Sequence, residues 1–478
     1  MIMVRIGFST LLLAGVLLGT QAKAEEVVIG DDKTSNLAIS VYNSNLAFVR
    51  EVRAVPLVQG ENVFAFEGVA KELRPETVRI KADNISVMEQ NYDFNLINQN
   101  NMLQEYVGKE VKTALFNPQT GQTVYDKAML VNANFGQPVL QFSHGIEANF
   151  PGRVIFEQVP KHLRRKPTMV VTLKSPQGGM MPIQIAYLTR GITWKADYIA
   201  DVKTDDTLAL NGWITLTNNS GVDYRDALVQ VMAGKVNVEE VARNYAAPMM
   251  TKGMGLSVMS SAESAMPEME AMGAADYYLY TLPNRTTIKD MQSKQVILLS
   301  KDNVKFEKKY VQNSTLPMYR HVQVTDLQKV NPDIVFKVLN KPEHNLGLPL
   351  PAGTVRFYEN DSKNNAQFLG ESRLEQLAVG EDAELKLGKS FDISSKSRIV
   401  NVVSISKEIS EVEAEITFKN GKSESVTVEF LQNFSSRFEI LAESLKSQKK
   451  DSSTLKWEVS IPAKGETVLT FKVRLTNN

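Results

Sequence analysis

The sequence predicts an all-β protein: several β-sandwich or small-barrel units, very few short helices and one long flexible insertion. Three observations predict it. Apolar and polar residues alternate with a period of two through most of the chain, the spacing of a strand with one buried face. Gly, Asn, Asp and Pro punctuate those runs where turns need them. Helical periodicity is confined to "NQNNMLQEYVG", before Gly108, and to "AESAMPEMEAMG", which Pro267 interrupts.

Residues 1–24 have the pattern of a signal peptide. Arg5 supplies a positive start, Ile6 to Gly19 an apolar run, and Ala22-Lys23-Ala24 a cleavage site after Ala24. The run is shorter than the roughly 20 residues of a membrane span, and no later stretch is long and apolar enough to be one. The expected product is exported, periplasmic or secreted, and soluble, with no transmembrane segment after signal cleavage. The chain has no cysteine. Disulfides, lipidation at a lipobox thiol, thiol nucleophiles and sulfur-based zinc sites are therefore excluded. With 54 basic and 54 acidic residues, nothing pulls the chain as a whole toward nucleic acid or anionic lipid.

A length of 478 residues exceeds what one core supports and suggests about three domains. Residues 25–105 form a first β unit, with "ENVFAFEGV" and "ETVRIKA" as strands. Residues 106–186 form a second, with turns at "NPQTGQ", "NANFGQP" and "SPQGGMMP". The third is 187–478, interrupted at about 240–276 by a Met-rich insertion. At its end, "LKWEVSI" and "LTFKVRL" each alternate, and "PAKGE" between them predicts a β-hairpin. An outer-membrane barrel fits poorly, because the strands are short and lysine-rich and lack an unbroken lipid-facing row.

The sequence carries few patterns of catalytic or metal-binding residues. His144, His162, His321 and His344 form no His-Glu-x-x-His motif or close pair, and no Gly-x-Ser-x-Gly elbow occurs. "GKS" occurs at Gly388 and Gly421 without the earlier glycine of a phosphate loop, so both are expected in β-turns. Asp205-Asp206 and Glu239-Glu240 are adjacent carboxylates of the kind common in exposed turns. "KHLRRK" offers Lys161, Arg164, Arg165 and Lys166 as candidate polyanion contacts, or as a solvated loop before Pro167. Pro248 to Gly273 holds seven of the 18 methionines. Met266, Met269 and Met272 are spaced by three, near one face if helical, and thioethers suit Cu(I). The alternatives are a flexible loop or an adaptable partner surface. No other cofactor is expected.

The block "YLTRGITWKADYIADV…LALNGWITLTNNSGVDYRDALVQVMAGKVN", from Tyr187, resembles the DUF4139 family, bacterial envelope proteins of unknown function related to the mucoidy-inhibitor A group. "MEQNYDFNLINQNNMLQEYVGKEV", "YYLYTLPNRTTIKDMQSKQVILL", "LPLPAGTVRFYEND" and "FLGESRLEQL" extend the likeness over nearly the whole mature chain. The resemblance implies a β-rich architecture and an envelope setting, and carries no catalytic residues. Physically, Trp194, Tyr198 and Ile192 share a strand face. Gly221 and Asp223 lie at a turn and Trp213 on the strand before it. Pro351 and Gly353 shape the bend into "TVRFY". All are expected to be structural. The expected function is a non-enzymatic one, by protein or glycan interaction at the cell envelope, with an envelope protein or polysaccharide as partner and exposed strand edges as docking sites. A glycan hydrolase with a dispersed carboxylate site and a Cu(I)-binding protein are the alternatives.

Overall fold

The structure is a computed structural model that describes residues 25–133, 137–160, 162–234, 236–237, 269–274, 277–316, 325–326 and 329–476. It is all-β, with one α-helix among the described residues. That helix, Gln99–Glu105, falls where "NQNNMLQEYVG" predicts it. The Asn98 side chain accepts from the Asn101 N–H at 2.9 Å at its start, and Gly108, with φ +79°, follows its end.

Two compact units emerge. One runs through Asn36 and then over Arg50–Tyr187; the other comprises Leu37–Val49 and Leu188 onward. Within the first, Glu26–Ile29, Gly60–Glu67, Thr168–Ser175 and Ser86–Asp93 form a four-stranded sheet in that order. The chain between its last-formed strands makes an excursion into a five-stranded antiparallel sheet: Gly145–Ala148, Val139–Phe142, Gln122–Asn132, Glu110–Asn117 and Arg153–Ile155. One face of this sheet buries Val111, Ala128, Leu130, Leu140 and Phe142 against Met102, Leu103 and Tyr106 of the helix region. The expected consecutive units 25–105 and 106–186 are thus nested. Thr168–Ser175 returns to pair with Gly60–Glu67 and Ser86–Asp93.

A buried ion pair sits inside this unit. The Arg53 and Glu51 side chains are 1% and 5% exposed and meet at 2.9 Å. Arg53 also donates to the carbonyls of Ile29 at 3.1 Å and Glu67 at 2.6 Å, and the Thr34 hydroxyl donates to Glu51 at 3.0 Å. The guanidinium thereby gathers three separate chain segments around one charge.

The second unit contains a sandwich and a small barrel. In the sandwich, Val426–Phe434 and Thr454–Ile461 belong to one sheet, and Ile393–Ser404, Ile409–Asn420, Glu466–Thr476 and Arg437–Glu443 to the other. The inner rows interdigitate around Trp457, whose ring stacks on Phe471 at 5.1 Å and lies 5.9 Å from Phe430. This corrects the predicted hairpin. Thr454–Ile461 pairs with Val426–Phe434, and Glu466–Thr476 pairs with Ile409–Asn420. The segment "PAKGE" crosses from one sheet to the other, so the two alternating rows face each other instead of sharing a ladder.

The barrel is built from seven strands, Ala366–Leu374, Gly353–Asn360, Ile192–Val202, Thr207–Asn218, Gln292–Leu316, Asp333–Val338 and Ala383–Lys389, each laddered to the next. The last returns against the first without a backbone ladder between them, leaving a seam. At the seam, a Cβ on Gly370, whose φ is +146°, would come within 2.6 Å of the Leu387 carbonyl oxygen, so the closure requires glycine there.

Candidate functional site

The barrel interior is filled from below. Phe306 stacks on Phe336 at 4.5 Å, and Phe336 meets Phe357 edge-on at 5.3 Å. All three rings are buried. Above them opens a groove of about 200 Å³, lined by Val202, Phe306, Ile334, Phe336, Leu369 and Leu387 and edged by Thr204, Asp205, Lys308, Glu359, Gly388 and Lys389.

Local strand geometry explains the position of each group. Period two carries the inward row of Gln292–Leu316 from Val304 and Phe306 to Lys308, and that of Gly353–Asn360 from Val355 and Phe357 to Glu359. At the mouth each row presents a charge to water, Lys308 and Glu359 both being exposed. Each seam strand also carries a bulge at the groove. The register of Ala366–Leu374 skips Leu369 between Gly370 and Phe368. That of Ala383–Lys389 skips Leu387 between Lys386 and Gly388. Bulges end regular pairing and re-aim side chains; here both extra residues are leucines and both line the groove. Gly388, expected in a β-turn, is a strand residue of this wall.

The charges at the groove differ from those around it. Asp206 pairs with Lys305 at 2.7 Å, Asp333 with Lys386 at 2.6 Å and Asp382 with Lys337 at 2.9 Å. Lys305 is bonded so directly that the Asp206 carboxyl is held below its ordinary range. Asp205, Lys308, Glu359 and Lys389 form no ion pair with another described residue. The groove therefore combines an apolar floor with two cations and two anions open to a ligand.

The sequence-predicted residues are placed elsewhere. Tyr198 is buried in the barrel, where burial pushes its phenol well above the ordinary range and its hydroxyl donates to the Pro351 carbonyl at 2.8 Å. Gly353 lies beside it; a Cβ there would sit 2.5 Å from the Ala196 oxygen and 2.9 Å from the Tyr198 ring. Gly212, unremarked in the sequence, is pressed on the Tyr198 ring in the same way, at 3.1 Å. Trp194 and Ile192 share Tyr198's buried face, and the Trp194 indole N–H has no partner among the described residues. Trp213 is half-buried and pairs across the ladder with Asp197. The Gly221 N–H donates to Asp290, whose own N–H donates to Asp223, and this last bond lowers the Asp223 carboxyl. These residues hold the barrel and its turns together.

The basic cluster is engaged within its own unit. Arg164 binds Glu26 at 2.6 Å and Asp93 at 2.9 Å. Lys166 binds Asp31 at 2.9 Å, and Arg165 reaches Glu67 at 3.4 Å while staying 76% exposed. Hydrogen bonds from Arg164 hold the Glu26 carboxyl below its ordinary range against partial burial. That contribution to stability is present above the ordinary glutamate range and is lost as pH falls through the depressed value. Lys161 lies outside the described residues.

The methionine candidates divide. Met266 and residues 238–268 generally lie outside the described residues, as does His321. Met269 is 8% exposed and Met272 66% exposed. They are joined by a strand, Glu270–Ala274, laddered to Tyr277–Thr281. The helical face expected for them is replaced by extended backbone, and the far end of the expected insertion is a sheet edge, because the Tyr277–Thr281 edge supplies a ladder that outweighs helix propensity.

The groove was missed in the sequence because its walls come from six strands. No family model matches this chain and no curated protein matches it in sequence, so the groove's chemistry rests on its own residues.

Proposed function

We propose that the chain is an exported protein of the bacterial cell envelope that works by binding, with the barrel-mouth groove as its binding site. The paired bulges at Leu369 and Leu387 carry this reading. Both leucines line a groove whose apolar floor is ringed by charges that form no ion pair with another described residue, the anatomy of an anchor pocket with a polar rim. The Ala22-Lys23-Ala24 pattern supports export. The motifs from Tyr187 onward support membership of the DUF4139 family and hence an envelope setting. Among the described residues no helix is long and apolar enough to cross a membrane.

A glycan hydrolase is the second reading, because Asp205 and Glu359 place two carboxylates at the groove. Its volume of about 200 Å³ falls below the roughly 300–1,000 Å³ of sites that enclose a small molecule, which favours anchoring part of a larger partner. The Cu(I) reading keeps only Met269 and Met272 among the described residues, one buried and one exposed.

The test is site-specific photo-crosslinking in cells. A diazirine side chain at Leu369, on the groove wall, is expected to give a discrete adduct. The same probe at Val468, on the C-terminal five-stranded sheet, is expected to give none. Equal labelling from both positions, or none from Leu369, overturns the reading.

A further inference from the structure

Resting on that reading of the groove, we infer that its ligand is a peptide segment that inserts one large apolar side chain, flanked by residues of both charge signs. Depth is the first argument. The Phe306, Phe336 and Phe357 rings close the barrel beneath the groove, so no channel is open to a long acyl chain. Size is the second. A cavity of about 150 Å³ holds a benzene ring, so a groove of about 200 Å³ suits a single Phe or Leu side chain.

Charge is the third. Lys308 and Lys389 call for an acidic residue, and Asp205 and Glu359 for a basic one. An anionic lipid headgroup would leave the two carboxylates unmet, and a neutral glycan would leave all four charges unmet. The floor also offers little to a sugar ring, since Phe306 and Phe336 spend their faces on each other.

Fluorescence polarisation on the full mature chain tests this. The probes are labelled Ser-Glu-X-Lys-Ser peptides with X as Phe, Leu, Ala or Asp. A neutral N-acetylglucosamine hexasaccharide is the competitor. The Phe and Leu peptides are expected to bind, with binding weakened by salt. The Ala peptide is expected to bind about tenfold or more weakly, as loss of a buried apolar side chain requires. Two variants guard against misfolding. Gly388→Leu fills the groove at a position where a Cβ meets nothing within 4 Å, and Lys308→Glu with Lys389→Glu reverses exposed charges. Both are expected to lose the Phe peptide by about tenfold with an unchanged melting temperature. Equal binding of the Phe and Ala peptides overturns the inference. So does failure of every peptide to bind while a labelled form of the hexasaccharide binds and is lost in Gly388→Leu; that result would leave the groove as a binding site and change its ligand to glycan. Failure of every probe together with no adduct from Leu369 overturns the groove reading as well.

Discussion

Replacing Trp457 with Ala is expected to destabilise the second unit by about 3–5 kcal/mol, the range for truncating a fully buried large aromatic. Trp457 is 0% exposed. Its ring stacks on Phe471 and reaches Phe430, so both sheets of the sandwich lose packing at once. Its indole N–H donates to the Glu443 carboxylate at 3.1 Å and to the Leu445 carbonyl at 3.1 Å. The truncated site therefore leaves a cavity and two acceptors without their donor. Urea unfolding followed by circular dichroism checks this. Phe391→Ala is the control: Phe391 is 93% exposed, and its loss is expected to change stability by no more than about 0.5 kcal/mol. A Trp457 effect no larger than that of Phe391 would contradict the sandwich core.

Arg53→Met is expected to destabilise the first unit by a similar amount, about 3–5 kcal/mol, because it strands a buried carboxylate. Glu51 would keep only the Thr34 hydroxyl, and the carbonyls of Ile29 and Glu67 would lose their donor. Removing both charges separates the two contributions. Glu51→Leu with Arg53→Met is expected to recover most of the loss, since an apolar pair of similar volume carries no uncompensated charge. Chemical denaturation of the three proteins measures it. If the double variant is as unstable as the single one, the cost lies in the two uncapped carbonyls and not in the stranded carboxylate.

How far these features were legible in the sequence follows from what alternation can encode. In "LKWEVSI" and "LTFKVRL" the rows Leu455, Trp457, Val459, Ile461 and Leu469, Phe471, Val473, Leu475 are all buried, as their period requires. The same pattern does not say whether two rows share a ladder or face each other, and "PAKGE" is long enough for either, so the hairpin became a crossover between sheets. The groove shows the same limit. The row Val355–Phe357–Glu359 is visible as alternation that ends in a charge, whereas Val304–Phe306–Lys308 runs on to buried Tyr310 and Gln312. Their convergence depends on Ile192–Val202 pairing in parallel with Gly353–Asn360, a pairing between strands far apart in the chain. The bulges at Leu369 and Leu387 have no local signature, since nothing but the partner's register defines an extra residue. Gly353 and Gly370 are required by close approach of distant backbone, which composition does not reveal. The basic run at Arg164–Lys166 was legible as charge, but its acidic partners Glu26, Asp31, Glu67 and Asp93 are brought up by tertiary structure.

Binding at the barrel mouth is tested most directly by retention of solubilised envelope components on three immobilised proteins: the unaltered chain from Glu25 onward, Gly388→Leu, and Lys308→Glu with Lys389→Glu. The first variant blocks the groove by volume and the second by charge, and neither disturbs a buried contact. The expected result is one component held by the unaltered chain and lost from both variants by about tenfold or more. Equal retention by all three proteins would contradict the assignment of function to this groove.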